Sequence, residues 1–121
     1  MCSRMRDPIL RNWRLIPFEA SALGAFLGEV TGHPLLNDGW IITSNVRWIS
    51  DDRSCARTES RRYQIQEEFP RDQAMPEKPR NILLTRLVMN YGVPFGLASQ
   101  EKLAELTDYA SYLCGPLAPL H

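Results

Sequence analysis

The residues of this chain best suited to chemistry lie between Gly32 and Tyr63. His33 stands between Gly32 and Pro34, with Asp38 five residues on. An imidazole titrates near neutrality, so beside a carboxylate it could act as an acid–base group. Ser44 or Ser60 with His33 and Asp38 would complete a nucleophile triad, but no nucleophile elbow accompanies either serine. Asp38, Asp51 and Asp52 have the spacing of neither a calcium loop nor a two-metal site. Turn chemistry accounts for all of them: Gly-His-Pro shapes a turn in which His33 caps a backbone group, and aspartates favour turns. No catalytic residue, metal site or cofactor is expected, and a small hydrolase is a distant reading.

Arginine is the stronger signal. Twelve of the fourteen basic residues are Arg and two are Lys. Guanidinium is a planar, bidentate donor suited to phosphate and carboxylate. If Cys55–Gln66 is one strand, Cys55, Arg57, Glu59, Arg61, Tyr63 and Ile65 point one way, successive members about 7 Å apart. Arg47 or Arg53 would join from across a hairpin, with Trp48 and Tyr63 as aromatic surfaces. Such a face could bind phosphates and stack a base, or dock on an acidic protein. The candidate partner-binding set is Arg47, Trp48, Arg53, Arg57, Arg61, Arg62 and Tyr63. The plain alternative is a solvated face paired as Arg57–Glu59–Arg61.

Composition bounds the object that carries these residues. A chain of 121 residues is one domain by size, large enough to bury one core. Hydrophobic residues are 44% and charged residues 23%, which excludes a compositionally disordered chain. No apolar run approaches the ~20 residues of a membrane span. Met1–Asp7 is basic but lacks the apolar segment of a secretory signal. Cys2, Cys55 and Cys114 form no metal-ligand spacing and read as reduced cytosolic thiols, so a cytoplasmic protein is expected. Net charge is zero, with a mild basic bias in residues 1–62, weaker than the footprint of a dedicated nucleic-acid binder.

Four stretches position the site. Residues 1–20, interrupted by Pro8 and Pro17, read as an irregular or extended arm anchored by Trp13. Residues 22–30 are ambiguous: Leu23, Phe26, Leu27 and Val30 have helical spacing, but Gly24 and Gly28 disfavour a helix, and a twisted strand is expected. Trp40–Ile49 alternates as a strand, with Trp40, Ile42, Ser44, Val46 and Trp48 on one face. Ser50–Ser54 turns the chain and Cys55–Gln66 returns antiparallel. Residues 67–80 are a Pro-rich connector. Two helices follow: about Asn81–Tyr91, with a stripe of Leu84, Leu87, Val88 and Tyr91, and from a Ser99 cap onwards, with Leu103, Leu106, Ala110 and Leu113. The Tyr91–Pro94 link has a faint helix-turn-helix look, but Phe95–Leu97 makes it too long. The expected fold is α+β: a small, curved antiparallel sheet of about three strands packed with two C-terminal helices.

Leu10-Arg11-Asn12-Trp13-Arg14, Gly28-Glu29-Val30-Thr31-Gly32-His33-Pro34, Asp38-Gly39, Thr43-Ser44 and Ala56-Arg57-Thr58-x-Ser60-Arg61-x-Tyr63 occur in that order. In this it resembles a family of small uncharacterised proteins from rhizobia and related alpha-proteobacteria, over about residues 10–66. The resemblance implies that the segment ending in Gly-His-Pro is a strand entering a turn. It implies no activity. Cys55 and Gln66 stand where that pattern often has an aromatic residue and a glycine, and the helical tail lies outside it.

The function expected from these readings is that of a small non-enzymatic interaction protein. Small single-domain chains of this sort are common among accessory and mobile-element genes, where some inhibit host or defence proteins. The alternative is an RNA- or DNA-binding module using the same basic face. No membrane partner is expected, and the sequence carries no signal for oligomeric state.

Overall fold

A computed structural model describes residues 7–18, 21–90 and 100–117. The chain divides into two compact units, residues 1–70 and 71–121.

The first unit is a closed barrel of five strands, β1 (Ile9–Phe18), β2 (Ser21–Thr31), β3 (Gly39–Ile49), β4 (Cys55–Thr58) and β5 (Arg62–Ile65). Consecutive strands pair antiparallel. Five is odd, so the first and last strands of this meander run the same way and the closing β1–β5 pair is parallel. The seam continues past β5. Gln64 N–H donates to Pro8 O (2.9 Å), Gln66 N–H to Leu10 O (2.9 Å), and Phe69 N–H to Trp13 O (2.7 Å). The Trp13 indole N–H donates to Gln66 O at 2.9 Å, fastening the seam with a side chain. Closure leaves no free sheet edge, which removes the hazard of edge-to-edge pairing.

The α+β class stands, but the expected curved sheet of about three strands is corrected to this closed barrel. Two local features hid it. Of the irregular or extended arm expected over residues 1–20, residues 9–18 are extended, as a strand of the barrel rather than an arm outside it. Asn12 has φ 50° and a register shift falls between Arg11 and Arg14, a bulge that breaks the strand's alternation. Pro8 and Pro17 fall just before the strand and at an exposed position near its end, where a missing N–H is tolerated. Cys55–Gln66 is not one strand either, because a bend at residues 59–61 divides it into β4 and β5.

The barrel core holds Leu10, Trp13, Phe26, Val30, Val46, Ala56, Tyr63 and Ile65, with Leu15, Ile41 and Ile49 against it. Trp13 meets Phe26 edge-on, ring centroids 5.2 Å apart, the favourable geometry for an aromatic pair. Gly28 faces Trp13 so closely that an added Cβ would lie 2.9 Å from the Trp13 Cβ. That contact explains a glycine inside a strand whose Phe26, Leu27 and Val30 spacing mimics a helix. Thr43 occupies a second bulge in β3 and its Oγ1 accepts the Phe26 N–H at 3.0 Å.

In the second unit, α1 (Glu77–Asn90) packs on α2 (Gln100–Leu113). α1 begins four residues before the expected Asn81, because Pro79 sits in the first turn, where helices accept proline. Its buried residues are Pro79, Leu83 and Leu87, while Leu84 and Val88 are half-buried. α2 buries Leu106, Ala110 and Leu113 as expected, but Leu103 is exposed. Met75 N–H donates to Cys114 O (2.7 Å) and Leu117 N–H to Arg71 O (2.6 Å), tying both ends of the unit together. The expected Ser99 cap and the Tyr91–Leu97 turn lie outside the described residues. Among the described residues no helix is long and apolar enough to cross a membrane.

Candidate partner-binding site

The candidate residues all lie in the barrel unit, and its strand register sorts them into two groups.

The first group is on the outside of β3–β5. Ala56 pairs with Tyr63 and Ile49 with Ala56, all toward the core, so the residues between them point out. Trp48 is the partner of Arg57, and Arg57 is the partner of Arg62. One cross-strand row therefore runs Trp48, Arg57, Arg62. Simple alternation places Trp48 on the face of Val46. In the fold, Val46 partners Thr58 and Trp48 partners Arg57, so β3 has one extra residue here. This bulge re-aims the strand: Val46 stays in the core, while Arg47 and Trp48 both face solvent. Trp48 is 47% exposed, a large apolar area for one side chain on a small barrel.

The guanidinium groups here differ in what they touch. Arg47 pairs with Glu59 at 3.3 Å, and both side chains are well exposed. Arg62 lies 3.5 Å from Asp7, and its Nη2 is 3.9 Å from the Cys55 sulfur. Arg57 is exposed and makes no side-chain hydrogen bond or ion pair among the described residues. Arg53 holds the left-handed position, φ 56°, of the β3–β4 turn, and its side chain is exposed. That turn is built by Ser50, whose Oγ accepts the N–H groups of Ser54 and Cys55 at 3.1 Å each. Asp52 accepts from Ser54 Oγ (2.7 Å), Ser50 Oγ (2.8 Å) and Ser54 N–H (3.0 Å). The Ser54 and Ser50 hydroxyls lead in holding the Asp52 carboxyl below its usual pKa. Cys55 is buried and disulfide-bonded, and Cys114 is a buried free thiol. The expectation of three reduced thiols is thus corrected at Cys55, because a bridge joins residues that the fold brings together and spacing alone does not reveal it. Cys2 lies outside the described residues.

The second group is at the barrel end where β2 and β4 finish and β3 and β5 begin. Arg61 and Tyr63 do not share a face with Arg57, because the bend at 59–61 resets the alternation. Thr58 N–H donates to Arg61 O (2.8 Å), Thr58 Oγ1 donates to the same oxygen (3.0 Å), and Arg61 N–H donates to Thr58 Oγ1 (3.2 Å). Tyr63 is 3% exposed and belongs to the core. His33 reaches back over it, ring centroids 6.2 Å apart. His33 Nδ1 accepts the Leu35 N–H at 3.0 Å, so the imidazole caps a backbone group. Asp38 Oδ1 accepts the Gly32 N–H at 3.1 Å and closes the same loop. Burial and, second, the Arg61 charge lower the His33 pKa. Burial raises that of the Tyr63 phenol, against an opposing pull from Arg61.

Ser44 and Ser60 bond to each other at 2.9 Å, and His33 and Asp38 each serve a backbone N–H of their own loop. Among the described residues no three His, Cys, Asp or Glu side chains converge as a metal site. The sequence pointed to arginine and aromatic residues but missed which of them adjoin. The missing signal was the pair of irregularities, the bulge at Arg47 and the bend at residues 59–61. No protein-family model matches the chain, and no curated protein or solved structure matches it.

Proposed function

We propose that the protein is a small non-enzymatic interaction module. It docks on an acidic segment of a partner protein through Trp48, Arg57 and Arg62, with Arg47 and Arg53 at the margin. Masking of the partner's surface is the output, the action of an inhibitor aimed at a host or defence protein. One observation carries this reading: two arginines stand directly opposite each other across β4 and β5, beside a half-exposed tryptophan. Like charges opposed across a sheet destabilise it. Asp7 answers Arg62 alone, and Arg57 has no acid of its own among the described residues. A partner carboxylate would relieve that repulsion and accept a bidentate bond. Tryptophan and arginine are also the residues most often found at the energetic centre of protein interfaces.

A protein partner is favoured over nucleic acid by the charges around the row. Glu59 ties up Arg47, Asp51 and Asp52 lie in the adjoining turn, and the chain has no net charge. Long-range attraction to a polyanion needs a one-signed field.

The test is capture from host lysate after nuclease treatment, using the tagged protein and an Arg57→Glu variant. A protein retained by the wild type and lost by the variant supports the reading. Recovery of nucleic acid alone, released by nuclease or by salt, moves the assignment to the nucleic-acid alternative. Equal recovery by both proteins overturns the role of the row.

A further inference from the structure

We infer that Cys55 is bridged to Cys2, and that this disulfide is a redox-opened staple tying the chain's N-terminus to β4. The inference does not rest on the docking role of the outer row.

The pairing follows from the cysteines themselves. The sequence holds three, Cys2, Cys55 and Cys114. Cys55 is disulfide-bonded and Cys114 keeps its thiol, which leaves Cys2 as the partner.

The surroundings of Cys55 fit a bridge to the start of the chain. Ala56 faces the barrel core, so its neighbour Cys55 points outward, on the side of Arg57. An outward side chain is solvated unless something lies over it, yet Cys55 is 0% exposed while Arg57 is exposed. Arg62 links the sulfur to the first described residue. Its Nη2 is 3.9 Å from the Cys55 Sγ, and its Nε is 3.5 Å from Asp7 Oδ2. The backbone agrees, because Gln64 has Cys55 as its partner on one side and Ile9 on the other. Gln64 N–H also donates to Pro8 O. Cys55 and the start of β1 are thus two strand spacings apart, about 10 Å. The segment from Pro8 back to Cys2 can span roughly 20 Å, so it reaches the sulfur with length to spare.

The chemistry is thiol–disulfide exchange. A small disulfide oxidises the two thiols: the Cys2–Cys55 S–S bond forms, and the two protons and two electrons leave with the reagent as two thiols. A dithiol reverses the step. The bridge closes a loop of roughly fifty residues, long enough to restrict the unfolded chain substantially. Such a bond persists where thiols are oxidised and opens in a reducing compartment, so the stability of the barrel follows the redox state around it.

The experiment uses the full chain purified without reductant. Thiol titration in denaturant should count one thiol, that of Cys114, and three after dithiothreitol. A non-reducing digest should yield one cross-linked pair of peptides, joining Cys2 to Cys55. Dithiothreitol should lower the Tm by about 5 °C or more. Cys2→Ser should match the reduced wild type in Tm without reductant, and dithiothreitol should not lower it further. Three thiols in the oxidised protein, a link from Cys55 to Cys114 or to a second copy, or a wild-type Tm indifferent to dithiothreitol overturns the inference.

Discussion

Arg57→Glu should strengthen the fold while removing the binding activity. Arg57 and Arg62 are partners across antiparallel strands, so their Cα atoms stand about 4.5–5.5 Å apart. For long side chains that splay from paired positions, a charge separation of roughly 7 Å is representative. Two unit charges at about 7 Å in water repel by about 0.6 kcal/mol. Reversing one sign converts that to a similar attraction, a swing of about 1.2 kcal/mol before screening. The Debye length is ~8 Å at physiological ionic strength, which reduces the swing to about 0.5 kcal/mol. For a domain of this size that is a rise in Tm of about 2–3 °C, roughly doubled at low salt and absent near molar salt. Thermal denaturation at three salt concentrations reads it, beside capture of the partner by the same variant. The reasoning fails if Arg57→Glu lowers Tm, or if the change is indifferent to salt.

Other perturbations test the framework. Trp13→Phe removes the indole bond to Gln66 O and part of a core side chain, and should cost about 2–3 kcal/mol in urea denaturation, with faster amide exchange along the β1–β5 seam. Gly24 has φ 91°, and a Cβ there would fall 2.1 Å from the Ile16 carbonyl oxygen. Gly24→Ala should therefore cost on the order of 3 kcal/mol or more, because a backbone atom cannot rotate away; a loss below about 1 kcal/mol would refute the close approach. The His33 ring should titrate below 6.5 when followed by proton NMR. Its neutral form is the one favoured in the fold, so its contribution to stability is intact above 6.5 and falls as pH drops through 6.5 toward the lower folded pKa. Arg61→Gln should bring the ring part-way back toward 6.5.

β3 was legible as a strand although it bulges, but the direction of its side chains, the strand at residues 9–18 and the break between β4 and β5 were not. From Val46 outwards β3 is a strand by composition, yet the direction of Trp48 depends on one extra residue, Arg47, that no periodicity reveals. β1 was hidden because Asn12 takes a left-handed conformation and Leu10, Trp13 and Leu15 lose the period of two. The β2 glycines were read correctly as marks against a helix, and Trp13 packed against Gly28 supplies the physical cause. Closure into a barrel is a long-range event. It rests on backbone bonds between residues 8–13 and 64–69, and backbone groups have no residue identity to read. For the site, residue types were informative and adjacency was not. On a continuous strand Arg57 and Arg61 would be equivalent, but the bend at residues 59–61 sends one to the outer row and the other to the barrel end.

The most direct test of docking through the outer row is a hydrogen-exchange footprint of the protein with its captured partner bound. Slowed exchange confined to Arg47–Ile49, Cys55–Arg57 and Arg62–Tyr63 is the predicted result. Protection confined to α1 and α2, with those strand segments unchanged, would contradict it.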